Sequence, residues 1–423
     1  MEIIKNIILI LLIYFKNCTC SHLVYPFKRS TKEKKSYPED LLQNDLEITI
    51  EIGTPPQKVD VNLRSKVYAF FIASSEIGLP YSTYNEQNSQ SLIKLSKLTK
   101  FNRQEFQEGY KIYENLRINQ QEIKLISLVL STKLAYKEAG ALGLRLLKSH
   151  EFGGNLSFIY QIKRPANLDN YAFTLRYDND DNGELIIGSY PHLYDSKYNE
   201  KNFFISRARN IGSSIDWVLD FDAIKYDNVT IKGIITKSLI QIEFGLLLAP
   251  SSVKKFFQEK FFLNRCREEF YSKRNITIIH CDKSLDITKF KNLSFVLKDI
   301  DYQFILTYKE LFIEKENEYI FGIVFDNTTY NINPYWILGK PFMKKYQLIY
   351  DLDKKIIGLY KKKSNEEKKF NINIVYISIL LVLFIIAITL ISHLLYIFKK
   401  KRKNKAFELE DENFDYTPTN FAD

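Results

Sequence analysis

A short turn containing two prolines separates two segments in which apolar and polar residues alternate. The apolar members are Leu46, Ile48, Ile50 and Ile52 before Gly53-Thr-Pro-Pro-Gln57, and Val59, Val61 and Leu63 after it. Because successive side chains of a strand point to opposite faces, the alternation predicts two half-buried strands. Glycine and proline favour turns, so the two strands are predicted to form a hairpin.

Similar short β-type segments recur along the body of the chain, and turn residues separate them. They cover residues 116–118, 123–129, 183–188, 217–224, 293–297 and 349–360. Long helical patterns are few, and residues 251–262 give one short example. A chain of 423 residues is long enough for two medium-sized lobes, each with its own core. We therefore predict a mostly β body.

The N-terminus has the pattern of a secretion signal. Residues 1–5 are weakly basic, the apolar run Ile7–Phe15 follows, and small or polar residues come next up to Ser21. This order is typical of a signal peptide, which we assign to residues 1–20. An uncleaved anchor is the alternative, because Lys16 interrupts the usual pattern.

A second apolar run, Ile374–Phe398, contains no acid or base except His393. About 20 residues suffice to span a bilayer, so the run predicts one transmembrane helix over 374–398. A GPI signal is disfavoured because its apolar stretch must end the chain, whereas a mostly polar segment of 25 residues follows here. With the signal peptide, this predicts a single-pass type I protein of the secretory pathway or cell surface. Residues 363–373 would form a juxtamembrane stalk and 399–423 a cytosolic tail.

Cleavage near Cys20 would leave two of the four cysteines, Cys266 and Cys281. Secreted domains commonly pair such cysteines, and a bridge closing this loop would stabilise the fold by roughly 3 kcal/mol in the chain-entropy model. Two buried free thiols are the alternative. Candidate N-glycosylation sites stand at Asn155, Asn228, Asn275, Asn292 and Asn327.

Several functional classes find little support. The net charge of +10 includes a basic run at 399–405 that acids further along the tail balance, and no basic stripe with interleaved aromatic residues is present. We therefore predict no nucleic-acid partner. The five histidines are scattered without metal-ligand spacing, and neither a Gly-x-Ser-x-Gly elbow nor a phosphate loop occurs. We predict no metal and no cofactor.

A set of motifs in fixed order resembles the pepsin-like aspartic peptidase family. The motifs are Ile52-Gly-Thr-Pro-Pro-Gln57, Gly140-Ala-Leu-Gly143, Gly183-Glu-Leu-Ile-Ile-Gly188, Trp217 to Asp220, Trp336-Ile-Leu-Gly339 to Tyr346, and Tyr350-Asp351 followed by Lys355-Ile-Ile-Gly358. The resemblance implies a bilobal pepsin-like fold over 44–362, with an N-lobe at about 44–200 and a C-lobe at about 201–362. It also places a second-lobe disulfide at Cys266 and Cys281. Residues 21–43 would be a spacer or a short pro-segment.

The resemblance implies two aspartates, one from each lobe, that share a proton and activate a water molecule. Counting from the Gly53 turn places Arg64 at the first position, and arginine cannot accept a proton. In the second lobe a gapless comparison places Gln241 at the catalytic position. A comparison with two residues deleted places Glu243 there instead. A structural ion pair between Arg64 and Glu243 is a further hypothesis.

The flap that closes over substrate in the family carries a Tyr-Gly turn. The corresponding stretch, Phe101 to Gly109, retains only the trailing glycine. No confident catalytic residue therefore follows from the sequence.

Three functions fit these observations. The favoured hypothesis is a membrane-anchored family member that has lost catalysis and binds a peptide or protein ligand in the cleft between the lobes. One alternative is a divergent but active aspartic-type endopeptidase. Another is a structural or adhesive surface glycoprotein. The oligomeric state does not follow from the sequence.

Overall fold

The computed structural model describes residues 22–32, 35–79, 83–99, 106–118, 121–134, 140–146, 156–211, 214–232, 236–262, 265–327, 335–361, 388–397 and 399. The chain divides into two compact units, Met1–Lys362 and Lys363–Asp423. In the second unit residues 388–397 are helical. Across the described ranges no helix is both long and apolar enough to cross a bilayer. Most of the predicted segment 374–398, and all of the predicted signal peptide 1–20, lie outside those ranges.

The first unit is mostly β, as the sequence predicts. Ten strands precede residue 200: β1 (Leu23–Arg29), β2 (Leu46–Ile52), β3 (Gln57–Arg64), β4 (Phe71–Ala73), β5 (Ile93–Thr99), β6 (Phe106–Ile118), β7 (Gln121–Leu134), β8 (Gly140–Gly143), β9 (Ala172–Tyr177) and β10 (Asn182–Ile187). The next strands are β11 (Phe203–Arg207), β12 (Asn210–Ile211), β13 (Ser214–Ile215), β14 (Val218–Tyr226), β15 (Val229–Thr230), β16 (Lys237–Ile240) and β17 (Leu247–Pro250).

Ten further strands complete the unit. They are β18 (Cys266–Tyr271), β19 (Ile276–Asp282), β20 (Leu293–Leu297), β21 (Gln303–Leu306), β22 (Phe312–Glu314), β23 (Glu318–Phe321), β24 (Ile323–Asp326), β25 (Trp336–Leu338), β26 (Ile349–Asp351) and β27 (Ile356–Tyr360). The helices are short: α1 (Glu39–Leu42), α2 (Phe158–Ile162), α3 (Pro191–Tyr194), α4 (Ser251–Phe257), α5 (Tyr308–Leu311) and α6 (Lys340–Lys345). Residues 258–262 continue α4 as a π-helix. The predicted helix over 251–262 is therefore confirmed, although its last five residues are π-helical rather than α-helical.

The predicted hairpin is β2–β3, an antiparallel pair in which Ile52 stands opposite Gln57. The apolar members of the alternation are buried, whereas their polar neighbours on β3 are more exposed. Gly53 starts the turn with φ of +93°, a conformation that L side chains rarely adopt. The predicted single segment 349–360 is instead a second hairpin, β26–β27, because Lys355 adopts a positive φ in the turn between them.

Two large sheets carry most of the strands, and β12 and β13 pair in a separate two-stranded sheet. One large sheet has the order β11-β27-β26-β9-β10-β1-β2-β3-β8-β4-β7-β6-β5, and the other has β21-β20-β14-β16-β25-β17-β24-β19-β23-β22 as its main path. Strand β1 lies between β10 and β2, so the segment ahead of the hairpin is part of the sheet. Most buried apolar side chains of both sheets join in one large cluster, and three smaller clusters lie outside it. In the large cluster Trp217 packs edge-on against Phe173 and Tyr350 and donates its indole N–H to the carbonyl oxygen of Leu144 at 2.7 Å.

Candidate active site

Arg64 and Gln241 occupy equivalent positions in the two lobes. Strand β3 runs parallel to β8, and its last residue, Arg64, pairs with Gly143. In the second lobe β16 runs parallel to β25 with Ile240 opposite Leu338, so the following residue, Gln241, comes level with Gly339. The Gln241 N–H donates to the Leu338 carbonyl oxygen at 3.1 Å. This register favours the gapless placement of Gln241 over Glu243.

Both glycines opposite these positions are needed for close packing. A Cβ on Gly143 would lie 2.4 Å from the carbonyl carbon of Tyr68. A Cβ on Gly339 would lie 2.1 Å from the carbonyl oxygen of Leu246. Two loops follow these strands: residues 64–66 at the end of β3 (the first loop) and residues 241–245 after β16 (the second loop). Backbone atoms cannot move aside as a flexible side chain can, so the framework beneath both loops admits only glycine.

The Arg64 side chain forms an ion pair with Asp45, with Nη1 2.7 Å from Oδ1. Its exposed fraction is 13%, and that of Asp45 is 15%. Lys35 pairs with the same carboxylate. A partly buried guanidinium is held by charge-assisted hydrogen bonds of this kind, and it has no lone pair with which to act as a base.

The neighbouring Ser65 links the two lobes. Its Oγ accepts a hydrogen bond from the Ile242 N–H at 3.1 Å and donates one to Glu243 Oε2 at 2.6 Å. The other oxygen of Glu243 accepts from the Lys66 N–H at 3.1 Å. The Glu243 carboxylate therefore binds the end of the first loop. Among the described residues no ion pair joins Glu243 to Arg64, so that hypothesis is replaced by the Arg64–Asp45 pair.

Gln241 is buried, with 4% of its surface exposed. Its side-chain amide is neutral and neither gains nor loses a proton in the pH range of proteins. The two equivalent positions thus carry a permanent cation and a neutral amide. That combination cannot share a proton in the way that two carboxylates do.

The segment before β2 pairs with the second loop. Gln43 and Phe244 form an isolated antiparallel bridge. On either side of it the Asn44 N–H donates to the Glu243 carbonyl oxygen and the Gly245 N–H donates to the Leu42 carbonyl oxygen, both at 2.9 Å. The backbone of the second loop is therefore already hydrogen-bonded on this side by the protein's own chain.

Two polar contacts fix this segment to the second lobe. The Tyr37 hydroxyl lies 2.7 Å from Nε2 of the buried His280, whose Nδ1 is 2.8 Å from a Glu318 oxygen. Burial, followed by the charges of Glu269 and Glu318, raises the pKa of Tyr37, which stays a neutral phenol.

Glu39 forms the second contact. Arg274 donates to both carboxylate oxygens and Tyr271 donates to one of them. Burial alone would raise the pKa of Glu39, but the hydrogen bonds from Arg274, Tyr271 and Lys273 outweigh it and lower the pKa to about 2. Glu39 thus stays ionised at pH values well below the 4.5 at which an ordinary glutamate takes up its proton.

Residues 101–105 of the predicted flap stretch lie outside the described residues, so the loss of its tyrosine stays a prediction. Gly109 lies in β6, where a Cβ would come within 2.5 Å of the Leu130 carbonyl oxygen. Packing between β6 and β7 accounts for this glycine.

The predicted disulfide between Cys266 and Cys281 is confirmed. The two cysteines are register partners at the start of β18 and towards the end of β19. Among the sequon asparagines, Asn228 and Asn292 are exposed, whereas the Asn327 amide donates to Thr277 Oγ1 at 2.7 Å. Asn155 lies outside the described ranges. In the described part of the chain no group of three or more potential ligands could hold a metal ion.

The sequence profile of the eukaryotic aspartyl protease family matches residues 47–362. The chain belongs to this family. The match spans both lobes, from β2 to just beyond β27, and it confirms the resemblance drawn from the motifs. No curated protein matches the chain in sequence.

Sequence reasoning missed two features of this family member. Asp45 was not recognised as the partner of Arg64, and the segment from Tyr37 to Asn44 was not expected to contact the second loop. Both are long-range contacts made by polar residues without periodicity. The sequence carried only one signal for them, the high density of charge between residues 28 and 47.

Proposed function

We propose that this protein is a membrane-anchored member of the aspartyl protease family that binds a peptide or protein segment and does not hydrolyse it. The observation that carries the proposal is the pair of equivalent positions occupied by Arg64 and Gln241. The family's reaction needs one carboxylate to accept a proton from water and a second to polarise the scissile carbonyl. A guanidinium and an amide can each donate a hydrogen bond to a carbonyl oxygen, but neither can accept the proton from water, so the reaction lacks its base.

The neighbouring carboxylates support the same conclusion. Asp45 is neutralised by Arg64 and Lys35. Glu243 accepts hydrogen bonds from Ser65 and from the Lys66 backbone. Each carboxylate is committed to a separate set of hydrogen-bond donors. Asp45 and Glu243 therefore do not form the pair of acids that shares one proton in the family's reaction.

Binding is favoured over a purely structural role because the framework around the loops is intact. The parallel pairs β3–β8 and β16–β25 and the packed glycines are all present. The link from Ser65 to Ile242 joins the two loops across the lobes. A rigid pair of loops between two lobes is the setting in which ligand sites commonly occur. The ligand class that the family implies is an extended peptide.

The proposal of secretion rests on the apolar run Ile7–Phe15, and the proposal of a membrane anchor rests on the apolar run Ile374–Phe398. The bond between Cys266 and Cys281 supports an oxidising compartment. The exposed asparagines Asn228 and Asn292 support a glycosylated body. We infer a type I orientation, with the body in the lumen or outside the cell.

The deciding experiment combines a hydrolysis assay with a binding assay on the full-length protein. A peptide library is incubated from acid to neutral pH, with an active pepsin-like enzyme as positive control, and the same library is screened for binding. We expect binding without cleavage. Cleavage that a statine-type transition-state mimic inhibits would overturn the proposal.

The alternative of a divergent endopeptidase rests on Glu243, the acid nearest the second position. If cleavage occurs and Glu243→Gln abolishes it, that alternative is correct. Glu316→Gln, at an exposed glutamate elsewhere, is the matched control. Absence of both cleavage and peptide binding would favour the structural or adhesive glycoprotein.

A further inference from the structure

One face of the first large sheet carries a continuous row of register partners. Because residues directly opposite each other on neighbouring strands point to the same side, their side chains share this face. Strand by strand from β1 to β11, the row is Val24, Ile186, Thr174, Ile349, Gly358 and Ile205. We call this surface the back face.

The middle of the back face is covered and its two ends are not. Ile186, Thr174 and Ile349 are at most 1% exposed. At the ends, Val24 is 39% exposed and Ile205 is 48% exposed. Ile205 stands opposite Gly358, and the Phe203 ring lies over that glycine, where a Cβ would come within 2.5 Å of it.

The segment over the middle adds a third exposed aliphatic residue. Tyr190, immediately before α3, belongs to the buried cluster with Ala172 and Ile349, which places α3 over the row. Leu193 in α3 is 44% exposed. Three aliphatic side chains are therefore open to solvent at or around this face.

The charges around these side chains are predominantly positive. Lys197, Lys201 and Arg207 are exposed. The acids Glu184 and Asp195 both lie near Arg176, at 4.0 Å or less. Glu200 and Asp353 are exposed acids in the same stretches of chain, and Lys354 adds a further exposed cation. Exposed apolar groups among lysines and arginines are the composition that binds at lipid headgroups.

The chain leaves the first unit beside this surface. Tyr360, the last residue of β27, pairs with Phe203, and the Lys361 N–H donates to the Asn202 carbonyl oxygen at 2.9 Å. Twelve residues, 362–373, separate this point from the apolar run that begins at Ile374. Fully extended, they reach at most about 40 Å, so an anchored body stays close to the bilayer.

We propose that the back face rests on the lipid surface, with Val24, Leu193 and Ile205 at headgroup level and the neighbouring cations near lipid phosphates. The inference rests on the proposed membrane anchoring. The partner is the bilayer that the same chain spans. Contact at this face fixes the orientation of the body relative to the bilayer.

Depth-dependent quenching on the full-length protein tests this. The protein is reconstituted in phosphatidylcholine vesicles with and without phosphatidylserine, and one fluorescent label is attached through Ile205→Cys or Leu193→Cys. Leu125→Cys is the matched control, because Leu125 is also an exposed aliphatic residue but lies in β7, outside the row. Lipids that carry a quencher near the headgroup are expected to quench the labels at 193 and 205 several-fold more than the label at 125.

Each outcome decides the proposal. Protein that fails to float with the vesicles overturns the anchoring and with it the inference. Protein that floats while all three labels are quenched equally overturns the lipid contact but leaves the anchoring intact. Shielding of the labels at 193 and 205 that persists in detergent and grows with protein concentration assigns the face to a second copy, which also overturns the lipid contact.

Discussion

Arg64, the last residue of β3, forms an ion pair with Asp45 across 2.7 Å. The pair lies between the end of β3 and the residue that precedes β2. It is a structural contact between these two segments. Its loss therefore has consequences for stability that can be measured without any substrate.

Replacing Arg64 tests this structural role. Arg64→Gln would leave Asp45 with Lys35 as a single cation, and loss of one partner from a partly buried pair is expected to cost about 1–3 kcal/mol of unfolding free energy. Urea denaturation at neutral pH measures it. Arg64→Lys keeps the charge and is expected to lose less. Equal stability of Arg64→Gln and the unmodified protein would show that the pair contributes nothing.

Ser65 provides a test of the link between the lobes. Ser65→Ala removes the acceptor of the Ile242 N–H and a donor to Glu243, and a buried group left without a partner costs about 1–3 kcal/mol. Ser65→Thr retains the hydroxyl and is the control. Thermal unfolding followed by circular dichroism should place the alanine variant well below the threonine variant. The reverse order would contradict the assigned hydrogen bonds.

The disulfide is expected to stabilise the second lobe. Changing both Cys266 and Cys281 to serine should lower the unfolding free energy by about 3 kcal/mol in the chain-entropy model, since the bridge closes a loop of 14 intervening residues. Unfolding of the unmodified protein with and without reductant gives an independent measurement. If the reduced and oxidised forms unfold at the same temperature, the bridge does not contribute.

Local sequence patterns predicted those parts of the fold that depend on neighbouring residues. The alternation of apolar and polar residues, with the turn residues, was sufficient to predict the β2–β3 hairpin. The order of the motifs was sufficient to predict the family. The pairs Arg64–Asp45 and Tyr37–His280 could not be predicted in the same way. Tyr37 and His280 are 243 residues apart, and a polar residue's partner depends on the folded backbone rather than on any periodicity.

Glu39 gives a pH-dependent prediction about the segment that contacts the second loop. Its pKa falls from the ordinary value of 4.5 to about 2 in the folded protein, because the donors Arg274, Tyr271 and Lys273 outweigh the effect of burial. A carboxyl group whose folded pKa is depressed adds stability that is fully present above the unfolded pKa and is lost as the pH falls through the folded one.

The full shift would correspond to roughly 3 kcal/mol, and solvent screening reduces this to an expected value of about 2 kcal/mol. Glu39→Gln should therefore be less stable than the unmodified protein at neutral pH. The difference should shrink below about pH 4.5 and vanish near pH 2. Glu316→Gln, at an exposed position, should differ little from the unmodified protein at any pH. Urea midpoints measured for the three proteins from acid to neutral pH give the comparison. A destabilisation by Glu39→Gln that stays constant over this range would mean that packing, and not the charge of Glu39, holds the segment to the second lobe.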